Sequence, residues 1–184
     1  MLLPQYLYSR LEYAQGEPVI DVYLFDWGDT LMLDFPDVSG KMCDWEVVEA
    51  VEGAVEALAY LSRQAKIYVA TGAADSTELE IEKAFARVGL SRFISGYFCR
   101  ANLGISKGNP EFFPTIINRL GVSADRVAMV GDSLIKDIEP AAAIGIKPIW
   151  FSNSSDLGVP EHTLIIGSLG DLCLCPANRS QPGL

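Results

Sequence analysis

The sequence predicts an α/β fold: a three-layer Rossmann-like domain with a central parallel sheet. Three observations predict it. Short apolar runs rich in β-branched and aromatic residues alternate with segments of helical periodicity. The runs read as buried strands, which parallel sheets covered by helices on both faces require. Acidic, hydroxyl and basic residues stand just after the runs, where such sheets bind their ligands.

The elements follow in order. Residues 19–25, Val-Ile-Asp-Val-Tyr-Leu-Phe, form the first strand. In 51–64, Val51, Ala54, Val55, Leu58 and Leu61 recur at helical spacing. Residues 67–70 form the second strand. A helix follows over 76–88, capped by Asp75 or Ser76, with Leu79, Ala84, Phe85 and Val88 near one face. Residues 93–98 make a third, weaker strand. The helix over 110–120 has Asn109 as its cap, Pro110 as its first residue and Gly121 as its terminator. Residues 127–130 are the fourth strand, 136–144 a helix ended by Gly145, and 148–151 the fifth strand. No internal repeat is visible. The expectation is one domain over 1–184, with an N-terminal extension at 1–16, a flap at 32–45 and a flexible tail at 176–184.

Of the 184 residues, 49% are hydrophobic, enough for a core without disulfide staples. Lys and Arg number 14 against 24 Asp and Glu, a formal net charge of −10. Nucleic acid is therefore not an expected partner, because phosphate backbones are met by clustered Lys and Arg. A small anionic substrate stays open, since salt screens charges beyond about 8 Å and a local cation or metal then overrides the global sign. No apolar run approaches the ~20 residues of a membrane helix, and the start of the chain lacks the pattern of a signal peptide. Cys43, Cys99, Cys173 and Cys175 lack C-x-x-C spacing and read as reduced thiols of a cytoplasmic protein, with Cys173 and Cys175 on one strand or turn. The only histidine, His162, reads as a solvated loop residue.

Chemistry concentrates at four strand ends. Asp26-Trp27-Gly28-Asp29-Thr30 follows strand one and Thr71-Gly72 follows strand two. Lys107 comes a little after strand three, and Gly131-Asp132 follows strand four with Asp137 about one helical turn further on. Each piece alone has a plain alternative: a helix cap, a turn, a surface lysine. Together they form a phosphoryl-transfer site. Asp26 and Asp132 suit a hard divalent cation such as Mg²⁺, which takes about six oxygens and keeps several waters. A hydroxyl, a lysine and free N–H groups suit phosphoryl oxygens. A carboxylate beside the metal can act as a nucleophile.

In this order the residues resemble the haloacid dehalogenase superfamily of hydrolases. The chain carries Phe25-Asp26-Trp27-Gly28-Asp29-Thr30-Leu31, Val69-Ala70-Thr71-Gly72, Lys107-Gly108-Asn109-Pro110-Glu111-Phe112-Phe113 and Gly131-Asp132-Ser133-Leu134-Ile135-Lys136-Asp137. The similarity spans about residues 19–170, and the last motif is its most specific part. It implies a Mg²⁺-dependent phosphatase in which Asp26 becomes an aspartyl-phosphate. Asp26, the Gly28 carbonyl and Asp132 would hold Mg²⁺, with Asp137 supporting the metal shell or Lys107. Thr71, Gly72 and Lys107 would bind the phosphoryl group.

One position departs from the superfamily pattern. Its phosphatases carry an acid–base Asp two residues after the nucleophile, where this chain has Gly28 followed by Asp29. General acid–base catalysis contributes about 10²–10⁴-fold. Three readings follow: Gly28 lets the chain turn so that Asp29 serves; the acid is missing and good leaving groups are preferred; or catalysis is lost and the fold binds Mg²⁺ and phosphate. Phosphatase ranks first, hydrolysis of another bond second and a non-catalytic module third.

Little chain separates the motifs, so the resemblance is to a capless member. An open site suits a phosphorylated small molecule or macromolecule, or closure by another copy in a homo-oligomer. Trp27, Phe35 and Trp45 can pack either on substrate or on the body of the protein. Two rivals fail on order. A receiver domain is phosphorylated after strand three, where this chain has Cys99-Arg100. A dinucleotide-binding domain needs G-x-G-x-x-G after strand one.

Overall fold

The computed structural model describes residues 19–154 and 158–174. The expected extension at 1–16, the expected tail at 176–184 and Cys175 lie outside the described residues. Six parallel strands form one sheet in the order β3-β2-β1-β4-β5-β6. They are β1 (Val22–Phe25), β2 (Lys66–Ala70), β3 (Gly96–Phe98), β4 (Val127–Gly131), β5 (Lys147–Phe151) and β6 (Leu164–Ile166). The chain crosses back between β3 and β4, so β1 and β4 are neighbours that grew outward in opposite directions. Their carboxyl ends flank the switch point where doubly wound sheets bind ligands.

Period-two alternation builds two cores from the same strands. Tyr23, Phe25, Ile67, Val69, Ala128 and Val130 face one layer. It holds α1 (Ala54–Leu61), α2 (Glu78–Arg87) and the 3₁₀ segment Leu169–Leu174. Val22, Leu24, Ala70, Val127 and Met129 face the other. It holds α3 (Arg100–Leu103), α4 (Phe112–Leu120) and α5 (Glu139–Ala143).

Five strands and the helices between them match the sequence expectation, with shifted ends. The sixth strand, Leu164–Ile166, was not anticipated; three residues carry little periodicity. Helix α2 starts at Glu78. Thr77 caps it, in a capping box with Glu80, in place of Asp75 or Ser76. Ile81, Ala84 and Phe85 turn inward and Leu79 is 76% exposed, correcting its expected place on the core face. Leu79 stands two residues from Ile81, about 200° around a helix of 3.6 residues per turn. Asn109 makes a local turn, its side chain accepting from the Glu111 N–H at 2.9 Å, while α4 begins at Phe112. Gly121 and Gly145 end their helices in the left-handed conformation, as expected.

The segment expected as a flap lies along α2. Lys41 Nζ pairs with Glu80 Oε1 at 2.6 Å and Lys83 Nζ with Asp44 Oδ1 at 3.1 Å. Arg87 donates to the carbonyls of Trp45 (2.6 Å) and Glu46 (2.9 Å), just past a short 3₁₀ turn at Met42–Asp44. The Lys41 ammonium and the Thr77 N–H hold the Glu80 carboxyl down at about 2. Trp27 packs on Phe85 with its Nε1 against Met32 Sδ, and Phe35 packs on Trp45. These aromatics fill contacts between flap and body, and Trp27 and Trp45 also line the cavity at the strand ends. Cys43, Cys99 and Cys173 are free thiols, Cys173 within a 3₁₀ segment. His162 is an exposed loop residue. Among the described residues no helix is long and apolar enough to cross a membrane.

Candidate active site

The ends of β1, β2 and β4 and the loop carrying Lys107 open into one cavity of about 780 Å³. Asp26, Gly28, Asp29, Thr71, Gly72, Lys107, Asp132 and Asp137 all line it, so every residue singled out in the sequence meets there. Parallel register explains the first convergence. Phe25 is paired with both Val69 and Val130, and the Asp26 N–H donates to the Val130 carbonyl at 2.9 Å. Residues just beyond these pairs therefore emerge side by side.

Lys107 organises the floor. Its ammonium donates to Asp26 Oδ1 (2.6 Å) and the Ala70 carbonyl (2.7 Å), and pairs with Asp137 Oδ1 (2.5 Å). The lysine side chain is only 2% exposed and that of Asp137 only 1%. Burial alone would lower the Lys107 pKa, but the charges of Asp26 and Asp137 outweigh it and raise it. Burial pushes the Asp137 carboxyl up to about 6, against the pull of Lys107 toward the ionised form.

Asp137 reaches this position from a π-turn, Leu134–Ile138, in which the Ile138 N–H reaches back five residues to the Ser133 carbonyl. The helix expected over 136–144 is therefore divided, and its regular part is only Glu139–Ala143. The Ser133 N–H donates to Asp137 Oδ2 at 3.1 Å. Gly131 makes the room. A Cβ on it would stand 2.5 Å from Asp137 Cγ and overlap the carboxylate. Sequence reading gave Gly131 no role, although a glycine closing a buried strand is a visible signal of close approach. Gly131→Ala is expected to lose about 1–3 kcal/mol of stability by overpacking. Urea melts of the native and variant chains read the loss.

Asp26, Asp132 and Asp137 each offer an oxygen, all within 4.8 Å of one another. Asp132 opens onto the cavity and accepts from the Thr30 hydroxyl at 3.3 Å, while Trp150 Nε1 fixes its carbonyl at 2.9 Å. Desolvation by the surrounding chain and then the charge of Asp26 push the Asp132 carboxyl up. Three carboxylates against one ammonium leave a negative excess, and an all-oxygen set of this kind fits a hard divalent cation. Thr71 is buried. Its Oγ1 accepts from the Ala73 N–H at 3.1 Å, so its own hydrogen is free to donate into the cavity. Thr30 was missed as a support of Asp132; its threonine-after-aspartate context was the available signal.

The turn after Asp26 is tight. The N–H groups of Leu31 and Met32 both donate to the Trp27 carbonyl, and Asp29 N–H donates to the Met32 carbonyl at 2.7 Å. The left-handed residue is Asp29, with φ 55°; Gly28 has no positive φ. This differs from the expectation that Gly28 makes the turn. Asp and Asn tolerate this conformation better than most residues.

Several proteins similar to this chain carry hydrolase or phosphatase names. YfnB of Bacillus subtilis (strain 168), named as a HAD-hydrolase, is 26% identical over 114 residues, covering 61% of this chain and 47% of that protein. Its magnesium-bound crystal structure matches 84% of this chain and 97% of that chain with a TM-score of 0.66 at 17% identity. Phosphoserine phosphatase of Thermus thermophilus is 29% identical over 102 residues, 54% of this chain and 41% of that enzyme. Glyceraldehyde 3-phosphate phosphatase of Pyrococcus abyssi is 34% identical over 73 residues, 40% of this chain and 27% of that enzyme. The chain thus spans less than half the length of these curated relatives. A family model described as haloacid dehalogenase-like hydrolase matches residues 28–145, and with the shared fold this places the chain in the haloacid dehalogenase-like hydrolase family.

Proposed function

We propose that the protein is a Mg²⁺-dependent phosphohydrolase that works through an aspartyl-phosphate on Asp26. The observation that carries this reading is Lys107, buried and bridging Asp26 and Asp137 at the floor of a cavity that Asp132 and Thr71 also line. The phosphatase names of two relatives support it. Asp26, Asp132 and the Gly28 carbonyl would hold Mg²⁺ with Asp137 beside them, and the ion would supply charge neutralisation for the transferring phosphoryl group.

The chain's own residues do the rest. Lys107 fixes Asp26 in place, and its charge offsets the approach of a carboxylate to an anionic phosphoryl group. Thr71 donates its hydroxyl hydrogen to a phosphoryl oxygen. Asp26 attacks phosphorus, the bond to the ester oxygen breaks, and water later attacks the phosphorus of the acyl phosphate to regenerate Asp26. The open cavity accepts a phosphorylated small molecule or an exposed phosphoryl group on a macromolecule.

Release of inorganic phosphate from an aryl phosphate is expected with Mg²⁺ and lost on chelation with EDTA, then regained on adding Mg²⁺ back. A chain that binds Mg²⁺ and phosphate without turnover would be a binding module, or would cleave another bond.

A further inference from the structure

The glycine at position 28 raises the question of which group protonates the leaving oxygen. We propose that this group is Asp34, a residue from the segment that folds back over the nucleophile loop. This inference rests on the phosphohydrolase reading and deepens it.

The geometry comes from the tight turn. Its hydrogen bonds onto the Trp27 carbonyl, with Asp29 in the left-handed conformation, reverse the chain within a few residues. A bridge between Gly28 and Met32 fixes the return. Asp34 arrives directly beside Gly28. A Cβ built on Gly28 would lie 3.6 Å from both Asp34 Cβ and Asp34 Oδ2, and 3.9 Å from Asp34 Cγ. The Asp34 carboxylate therefore sits within one side-chain length of the point from which an aspartate at 28 would extend. Both Asp34 and Asp26 line the same cavity, and Asp34 is exposed to it.

Asp29 has a different task. Its Oδ1 accepts the Asp34 N–H at 3.0 Å, so one of its oxygens ties down the backbone that carries Asp34. Asp29 is a positioning residue. The apparent exchange of glycine and aspartate then has one physical sense. Glycine withdraws the side chain at 28, aspartate at 29 holds the returning loop, and Asp34 supplies the carboxyl group.

The step balances. As an Asp26 oxygen bonds to phosphorus, the bond between phosphorus and the ester oxygen breaks. Its electron pair stays on that oxygen, which takes the proton of the Asp34 carboxylic acid and leaves as an alcohol. The Asp34 carboxylate then takes a proton from water as the water oxygen attacks the phosphorus. The bond from phosphorus to Asp26 breaks, leaving inorganic phosphate, an Asp26 carboxylate and a protonated Asp34.

The test is leaving-group dependence, measured as kcat/KM on p-nitrophenyl phosphate and on an alkyl phosphate monoester with Mg²⁺ present. An aryl oxide leaves with little help, whereas an alkoxide needs the proton. Asp34→Asn is expected to lower the alkyl rate by about 10²–10⁴-fold and the aryl rate by less than about tenfold, the range that a general acid supplies. The surviving aryl rate also shows that the variant is folded. Gly28→Asp in the Asp34→Asn background is expected to restore the alkyl rate, because it returns a carboxylate to the same space. An unchanged alkyl-to-aryl ratio in Asp34→Asn, with aryl turnover that still requires Asp26, would overturn the assignment of Asp34 alone. A ratio that collapses in Asp29→Asn but not in Asp34→Asn would name Asp29 as the acid. No phosphate release by the native chain from either ester would overturn the phosphohydrolase reading and this assignment together.

Discussion

Replacing Asp26 with Asn is expected to lower Mg²⁺-dependent turnover of an aryl phosphate by about 10⁴–10⁶-fold, the scale on which losing a covalent nucleophile acts. The amide cannot form the acyl phosphate. The fold should survive, because the substitution leaves Lys107 its pair with Asp137 and its hydrogen bond to the Ala70 carbonyl. It also removes one of three carboxylates whose oxygens crowd within 4.8 Å. Thermal melting of the Mg²⁺-free variant should therefore stay close to that of the native chain. A variant that melts normally and still turns over at the native rate would remove Asp26 from the mechanism. The same variant, incubated with substrate labelled in the phosphoryl group, should carry no label, whereas the native chain should carry it on Asp26.

Lys107→Met should have the opposite profile, with a large loss of stability as well as activity. Methionine has a similar length but no charge. Two carboxylates would then share a floor on which Asp137 is almost wholly buried, and breaking a buried ion pair from one side costs about 3–5 kcal/mol. Lys107 is what pulls the Asp137 carboxyl back toward ionisation, so its removal should raise that group further above about 6. Asp137 should then hold a proton at neutral pH. Part of the lost stability should return as the pH falls from neutral toward the ordinary carboxylate range, because the folded chain keeps a proton on Asp137 that the unfolded chain has lost. Urea melts of native and variant chains between acid and neutral pH measure this difference. A variant as stable as the native chain at neutral pH would mean that the ion pair contributes little to the fold.

The two variants separate roles that one cluster combines. All three line the cavity, but Asp26 is 16% exposed at its side chain whereas Lys107 and Asp137, at 2% and 1%, are nearly closed off at its floor. The proposed nucleophile is the most exposed of the three, and the groups that hold it in place form the floor.

Much of this site was legible in the chain itself. Buried parallel strands must be apolar through their length, so β1, β2, β4 and β5 announce themselves, and the polar residues that follow them mark the ligand edge. Asp26, Thr71, Lys107, Asp132 and Asp137 needed only that order to be named. Less was legible at the margins. Three residues could cap α2, but its inward face follows from spacing alone: Ile81, Ala84 and Phe85 fall at i, i+3 and i+4, and Leu79 lies about 200° from Ile81 wherever the cap falls. That is why Leu79 points away from the core while Ile81 enters it.

The sequence by itself determined the sheet, the order of the groups at its ligand edge and the anomaly at Gly28, because strand burial and motif order are properties of neighbouring residues. Only the tertiary structure decided what stands beside that glycine. The approach of Asp34 to Gly28 depends on a chain reversal held by Trp27, Asp29 and Met32, and the depth of Asp137 depends on the missing Cβ of Gly131 and on a π-turn. Both are contacts between residues whose distance apart is set by backbone geometry, and spacing along the chain does not encode it.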